Sequence, residues 1–308
     1  MTHYIITGAT GFIGKAFVEK LVKDKEKVTI IVRNRIKAQD LFGDSVIIVE
    51  QDLNDINSMY LEPPKEDERR ILVHFAWDGT SGDKRAREVT QLNNVRLSCD
   101  LLRKAKEWQV DRFVNAGSIM EYEAIKTVLY DGQRPNRNSV YSIAKLTTNF
   151  LLKTIAADIN LNYVNVIISN VYGPGERTPR FLNSVIRALI NNQDLDLTEG
   201  KQLYDFIYID DAMQMIKMVA EKAKNFESYY IGNTMQYPLR EFVIKAKEII
   251  KSNSKLNFGA VPFMGQALNY TEFDTSKVFN LEGVEIKISF EEGIKKVVEG
   301  YLDEKTVI

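Results

Sequence analysis

The first 168 residues alternate two hydrophobic periodicities, and that alternation restricts the chain to one class of fold. Short β-branched runs occupy Tyr4–Thr7, Val28–Val32, Val46–Val49, Ile71–Phe75, Arg112–Asn115 and Tyr163–Ile168. Between most of them apolar residues recur every three or four positions, most clearly over Gly11–Lys23, Lys84–Trp108 and Val140–Asp158, the spacing of amphipathic helices. Strands alternating with helices imply βαβ units, whose right-handed crossovers lay the strands parallel in one sheet. The runs are continuously apolar, as strands covered on both faces must be. The expected fold is a doubly wound α/β parallel sheet.

From about Tyr172 the pattern loosens. Gly173-Pro174-Gly175 and Thr178-Pro179 punctuate the chain before an amphipathic stretch at Phe181–Asn191. A helical pattern returns at Asp211–Lys224 and a strand at Tyr229–Ile231. The expected division is a nucleotide-binding domain over 1–171, rejoined by 205–232, and a smaller substrate domain from 172–204 and 233–308. The charged tract Pro63–Arg70 is expected to be a solvated loop.

Charge and cysteine content narrow the function. Lys and Arg number 41 against 42 Asp and Glu, a net charge of −1, whereas a nucleic-acid binder would carry a basic excess. No apolar run approaches the ~18 residues that cross a bilayer, and the N-terminus opens on a strand-like run instead of a signal peptide. The single Cys99 cannot form an intrachain disulfide, which fits the cytoplasm. Neither His3 nor His74 belongs to a cluster with metal-ligand spacing, so no metal is expected.

Thr7-Gly8-Ala9-Thr10-Gly11-Phe12-Ile13-Gly14 lies between the first strand and the first helix. In that position Gly8 permits a tight turn, Gly11 lets backbone approach a pyrophosphate, and Gly14 allows close helix–strand packing. The helix N-terminus adds unsatisfied N–H groups and the positive end of its dipole. A dinucleotide site is expected. An acidic residue at the end of the second strand would hold a ribose 2′-hydroxyl, as in NAD sites; here Arg33 and Arg35 stand instead. They could pair a 2′-phosphate, so NADP is expected, with NAD the alternative.

Tyr141 and Lys145 are four apart at the start of a helical stretch, which places phenol and ammonium on one helix face. A cation there favours the phenolate and lets the phenol exchange protons nearer neutrality. The preceding strand ends in Asn115-Ala116-Gly117-Ser118, and the carboxyl ends of strands line the ligand crevice of such sheets. Ser118, Tyr141 and Lys145 are the expected catalytic group.

With these motifs in place the chain resembles the extended short-chain dehydrogenase/reductases of the NAD-dependent epimerase/dehydratase family, which carry a Rossmann domain and a smaller C-terminal α/β substrate domain. The likeness rests on Gly8/Gly11/Gly14, Asp52-Leu53, His74-Phe75-Ala76-Trp77, Asn94, Ser118, Tyr141/Lys145, Asn170–Gly175, Asp205–Asp211, Asp274–Lys277 and Ser289–Gly293. It implies that Tyr141 is the acid/base, that Lys145 tunes it while holding the nicotinamide ribose, and that Ser118 binds the reacting oxygen. Asp52 and Leu53 would contact adenine, with Ala76 and Asn94 along the cofactor. Trp77, Ser118, Asn170 and Arg180 would face a nucleoside-diphosphate sugar, together with Ile119, Glu121 and Tyr204. A homodimer through the helices at Lys84–Trp108 and Val140–Asp158 is also implied.

Two departures shape the expected activity. Family dehydratases carry an Asp-Glu pair just after the Ser118 position, where this chain has Ile119 and Met120, neither able to move a proton. The arginines that grip diphosphate in several epimerases fall at Tyr204 and Met264; Arg177, Arg180 and Lys201 could substitute. Gln202–Asp205 and His74–Trp77 are more similar to nucleotide-sugar 4-ketoreductases. The expected activity is therefore NADP-dependent reduction of a 4-keto-(deoxy)sugar nucleotide. The alternatives are a nucleotide-sugar epimerase and a dinucleotide-sensing module without turnover.

Overall fold

A computed structural model describes residues 1–129, 136–137, 139–265 and 267–306. Six parallel strands, β1 (Thr2–Thr7), β2 (Lys27–Val32), β3 (Ile47–Glu50), β4 (Arg69–His74), β5 (Arg112–Ser118) and β6 (Asn162–Ile168), form one sheet. A seventh strand, Ser228–Ile231, pairs in parallel with β6, giving the spatial order Ser228–Ile231, β6, β5, β4, β1, β2, β3. The order reverses between β1 and β4, and a crevice opens at such a switch point outside the carboxyl ends of the strands.

Nine helices are described: α1 (Phe12–Lys23), α2 (Arg35–Phe42), α3 (Glu88–Glu107), α4 (Met120–Leu129), α5 (Ser139–Asp158), α6 (Phe181–Ile190), α7 (Ile209–Lys222), α8 (Leu239–Ile250) and α9 (Phe290–Thr306). Side chains of each strand alternate between two cores. Tyr4, Ile6, Ile71, Val73 and Val114 lie in the core that includes α1 and α7, while Ile5, Leu72, Phe113 and Tyr163 face α3 and α5. Both sheet faces are thus dry, which explains the apolar runs. The C-terminal segments pack α6 against α8 and join short strands Leu195–Leu197 and Leu256–Phe258.

Two expectations are corrected here. The pattern over Lys84–Trp108 is not one helix: a 3₁₀ turn spans Asp83–Ala86, and Arg87 (φ −93°, ψ 111°) is extended before α3 begins. The charged tract is not wholly solvated either, because its last residues enter the sheet. Arg70 is buried and donates to Glu68, to Trp108 O and to Glu62 O. Glu68 also takes Lys27 Nζ at 2.7 Å and lies 3.0 Å from His3 Nδ1.

Burial alone would raise the Glu68 carboxyl, but its bonds to Lys27, His3 and Arg70 win and hold it at about 2. A folded-state value below the unfolded one means that this carboxylate stabilises fully above about pH 4.5 and loses its contribution as pH falls toward 2. Glu68→Gln is expected to cost about 3 kcal/mol at neutral pH and to flatten the acid limb of stability. Urea unfolding at several pH values measures both.

Candidate active site

At the switch point, Gly8 adopts φ +73°, and a Cβ there would lie 2.6 Å from Ala76 N and 2.7 Å from Phe75 C. Only glycine lets the turn after β1 sit against the chain leaving β4. A Cβ on Gly14 would overlap Gly8 O, whereas one on Gly11 meets only that oxygen, at 3.5 Å. Gly11 therefore faces open space at the N-cap of α1. No side chain caps this helix and no acidic residue sits in its first turn, so its leading amides, beside Thr10, Phe12 and Ile13, remain available to an anion. This cradle fits a dinucleotide pyrophosphate.

Beneath it, His74 bridges Thr7 Oγ1 (2.7 Å) and Ser98 Oγ (2.9 Å). Burial drives its imidazole down to about 3, so it is a neutral strut between β1, β4 and α3. At the cradle's far edge Asp52 accepts Asn54 N and Nδ2. Those bonds, together with the charge of Arg33, lower its carboxyl. Arg35 gives its guanidinium to Ile48 O at 2.8 Å, whereas Arg33 is exposed.

Tyr141 and Lys145 lie on the buried face of α5. The Lys145 ammonium donates to Ala116 O at 2.8 Å, two residues before Ser118 at the end of β5. It also sits 3.7 Å above the Trp77 ring and 5.9 Å from the Tyr141 ring centre, while Trp77 meets Tyr141 edge-on at 6.1 Å. Burial pushes the ammonium well below its ordinary range, and the Glu121 carboxylate opposes that shift. Ser118 is half-buried, and its Oγ accepts Met120 N at 3.3 Å.

Arg85 was not expected at this site. Its guanidinium lies 3.9 Å over the Tyr141 ring and donates to Thr80 O. It reaches there because the 3₁₀ turn replaces the first turn of the expected long helix. Asn94 grips both backbone groups of Asp78, so its side chain anchors this Arg85 loop. No local spacing in the sequence signals Arg85; only the packing of that loop on α5 does.

Two expected substrate residues turn inward. Ile119 is buried in an apolar cluster with Ile167, Tyr230 and Tyr270. Glu121, 2 % exposed, accepts the backbone N–H of Ser118 and is neither in the crevice nor on the surface. Ile119, just before α4, donates its backbone N–H to Ile168 O, and Glu121 lies in the first turn of α4. By contrast Asn170, Arg180 and Tyr204 line one cleft of about 50 Å³ with Glu176 and Phe181. Lys201 borders a wider opening of about 530 Å³ with Phe263.

Among the described residues no three His, Cys, Asp or Glu side chains are arranged to hold a metal ion, and no helix is long and apolar enough to cross a membrane. A glycine cradle at the sheet's reversal point, with a buried tyrosine–lysine pair beside it, defines an NAD(P)-dependent enzyme of the doubly wound α/β class. The model of the NAD dependent epimerase/dehydratase family matches residues 4–232, and the chain belongs to that family. It is 27 % identical to the CDP-abequose synthase of Salmonella typhimurium, over 97 % of both chains. In fold it is similar to the UDP-glucose 4-epimerase of Thermotoga maritima with UDP-glucose (TM-score 0.77, 22 % identity, 99 % of this chain and 100 % of that one). It is likewise similar to the dTDP-glucose 4,6-dehydratase DesIV of Streptomyces venezuelae with NAD bound (TM-score 0.79, 20 % identity, 99 % and 98 % covered).

Proposed function

We propose that this chain reduces the keto group of a 4-keto-(deoxy)sugar carried on a nucleoside diphosphate, with NADPH as reductant. The observation that carries the reading is the Tyr141–Lys145 pair, buried at the end of β5 and flanked by Trp77. The bound cofactor supplies a hydride from its nicotinamide. Tyr141 donates the proton that the reduced oxygen needs, Ser118 hydrogen-bonds that oxygen, and Lys145 holds the ribose. The backbone of Gly8–Gly14 takes the pyrophosphate, with Asp52, Leu53 and Ala76 along the adenosine and nicotinamide. Asn170, Arg180 and Tyr204 take the nucleotide half of the substrate.

Net reduction is supported over elimination because Ile119 and Met120 offer no proton where a dehydratase needs an acid and a base. The likeness to CDP-abequose synthase over nearly the whole chain supports a deoxysugar substrate. Exposed apolar side chains on α3 (Val89, Leu92) and α5 (Ile143, Phe150) support a homodimer through those helices. A panel of keto-sugar nucleotides incubated with NADPH, followed by cofactor absorbance, tests the reading. Stoichiometric oxidation of NADPH supports it. Tightly retained NAD with no net use of NADPH would replace it with epimerisation.

Arg33 is the residue assigned to the 2′-phosphate. Arg33→Ala is expected to weaken NADP binding about tenfold, the loss of one charge-assisted contact, and to leave NAD binding within about twofold. If the unaltered protein holds NAD at least as tightly as NADP in side-by-side titrations, Arg33 does not have this role.

A further inference from the structure

Tyr141, Lys145 and Asn149 follow at intervals of four along α5 and so share one of its faces. Glu121 meets that face from α4. One carboxylate oxygen accepts Ser118 N at 2.9 Å, and the other accepts Asn149 Nδ2 at 2.9 Å and Asn165 Nδ2 at 3.4 Å. Asn165 in turn accepts Asn115 Nδ2 at 2.7 Å. A single buried carboxylate therefore ties the end of β5 and β6 to the helix that carries the reacting groups. Gly117 makes the space, since a Cβ there would overlap Glu121 Oε1 and crowd the Asn165 amide. The arrangement is costly, because an apolar core would need no buried carboxylate. Once it is built, removing the carboxylate leaves three donors unpaired.

We propose that Glu121 is a positioning residue for the Tyr141–Lys145 pair: it sets the register of α5 against the strand end bearing Ser118 and supplies the buried negative charge that balances the Lys145 ammonium. The inference rests on the reading of Lys145 as a cofactor-ribose ligand. The charged and titratable groups facing Lys145 are Glu121 from α4, Arg85 from the turn before α3, His74 from β4 and Tyr141 on its own helix. Among the described residues Glu121 is the anion in this group, and Arg85 opposes it. Glu123, also on α4, instead takes the Ser142 hydroxyl at 2.8 Å. Glu121 itself faces Lys145 and the phenols of Tyr122 and Tyr163, both raised above their ordinary range by burial. Burial also pushes the Glu121 carboxyl up, against its bonds to Ser118, Asn149 and Asn165.

The test is NADPH affinity, measured by fluorescence from about pH 6 to 10, on the full chain and its Glu121→Gln and Asn149→Ala variants, with Tm recorded for each. In Glu121→Gln the loss of affinity on the alkaline side is expected to move down by about one pH unit or more, because Lys145 loses the carboxylate that favours its charged form. Asn149→Ala keeps the charge and is expected to lower Tm while its alkaline limb stays in place. A Glu121→Gln protein with reduced Tm but an unmoved limb would make Glu121 structural only and overturn the inference. Should Glu121→Gln not fold, Glu121→Asp decides. A limb in the original place with kcat reduced more than KM is altered supports the inference, and a moved limb or unchanged kcat overturns it. An unaltered chain that binds no dinucleotide would overturn the functional reading itself, and this inference with it.

Discussion

Replacing Tyr141 with phenylalanine is expected to lower kcat for keto-sugar reduction by about 10²–10⁴-fold, the usual cost of losing a positioned proton donor. The expectation is specific because the substitution leaves the surroundings in place. The ring keeps its edge contact with Trp77 and its cover by the Arg85 guanidinium. Lys145 keeps its bond to Ala116 O, which does not involve the phenol oxygen. Cofactor affinity and Tm should therefore stay near those of the unaltered protein while turnover collapses. Steady-state kinetics beside a cofactor titration separate the two. Turnover within about tenfold of the original would remove Tyr141 as proton donor.

The second large effect is expected at the glycine turn, where two neighbouring substitutions should divide folding from binding. Gly8→Ala forces an L side chain into a left-handed backbone at φ +73° and drives its Cβ into Ala76 N and Phe75 C. Neither atom can yield without parting β1 from β4, so a loss of about 3–5 kcal/mol is expected, together with loss of dinucleotide binding. Gly11→Ala should behave differently. Its Cβ has room within the protein, and an N-cap change of this kind costs at most about 1 kcal/mol. It nevertheless fills the space in front of the α1 amides, so affinity should fall by more than tenfold, about 1.4 kcal/mol. Denaturant unfolding and cofactor titration on both variants make the comparison. Equal stability losses would mean that the turn is a folding element without a ligand role.

The likeness to CDP-abequose synthase and to epimerase and dehydratase structures reflects how this fold divides its labour. In the proposed reading the sheet and glycine turn hold the cofactor, and the segments after β5 and in the C-terminal third decide what is done with it. In this chain those segments carry Ile119, Met120 and Glu121 after Ser118, and Arg180 and Tyr204 in the distal cleft. On the proposed function, the chemistry that separates reduction from elimination lies in a few side chains near the end of β5.

Much of this architecture could be read from local spacing. The six strands and the helices α1, α5 and α6 were legible because a sheet buried on both faces and an amphipathic helix each impose a short hydrophobic period on neighbouring residues. Gly8 and Gly14 were legible because a left-handed turn and a backbone–backbone contact exclude every side chain, which is a local steric fact. The Tyr141–Lys145 pair was legible because four residues make about one helical turn. What packing alone decided involves partners distant in the chain. Arg85 reaches Tyr141 because a 3₁₀ turn interrupts an otherwise helical pattern, and Glu68 and Arg70 leave solvent because His3 and Lys27 meet them across the sheet. Glu121 turns inward because Gly117 leaves room for a carboxylate whose donors come from β5, α5 and β6. Periodicity reports which face of an element is apolar. It carries no information about which polar group from another element will satisfy a buried charge, and that pairing is settled only when the layers close.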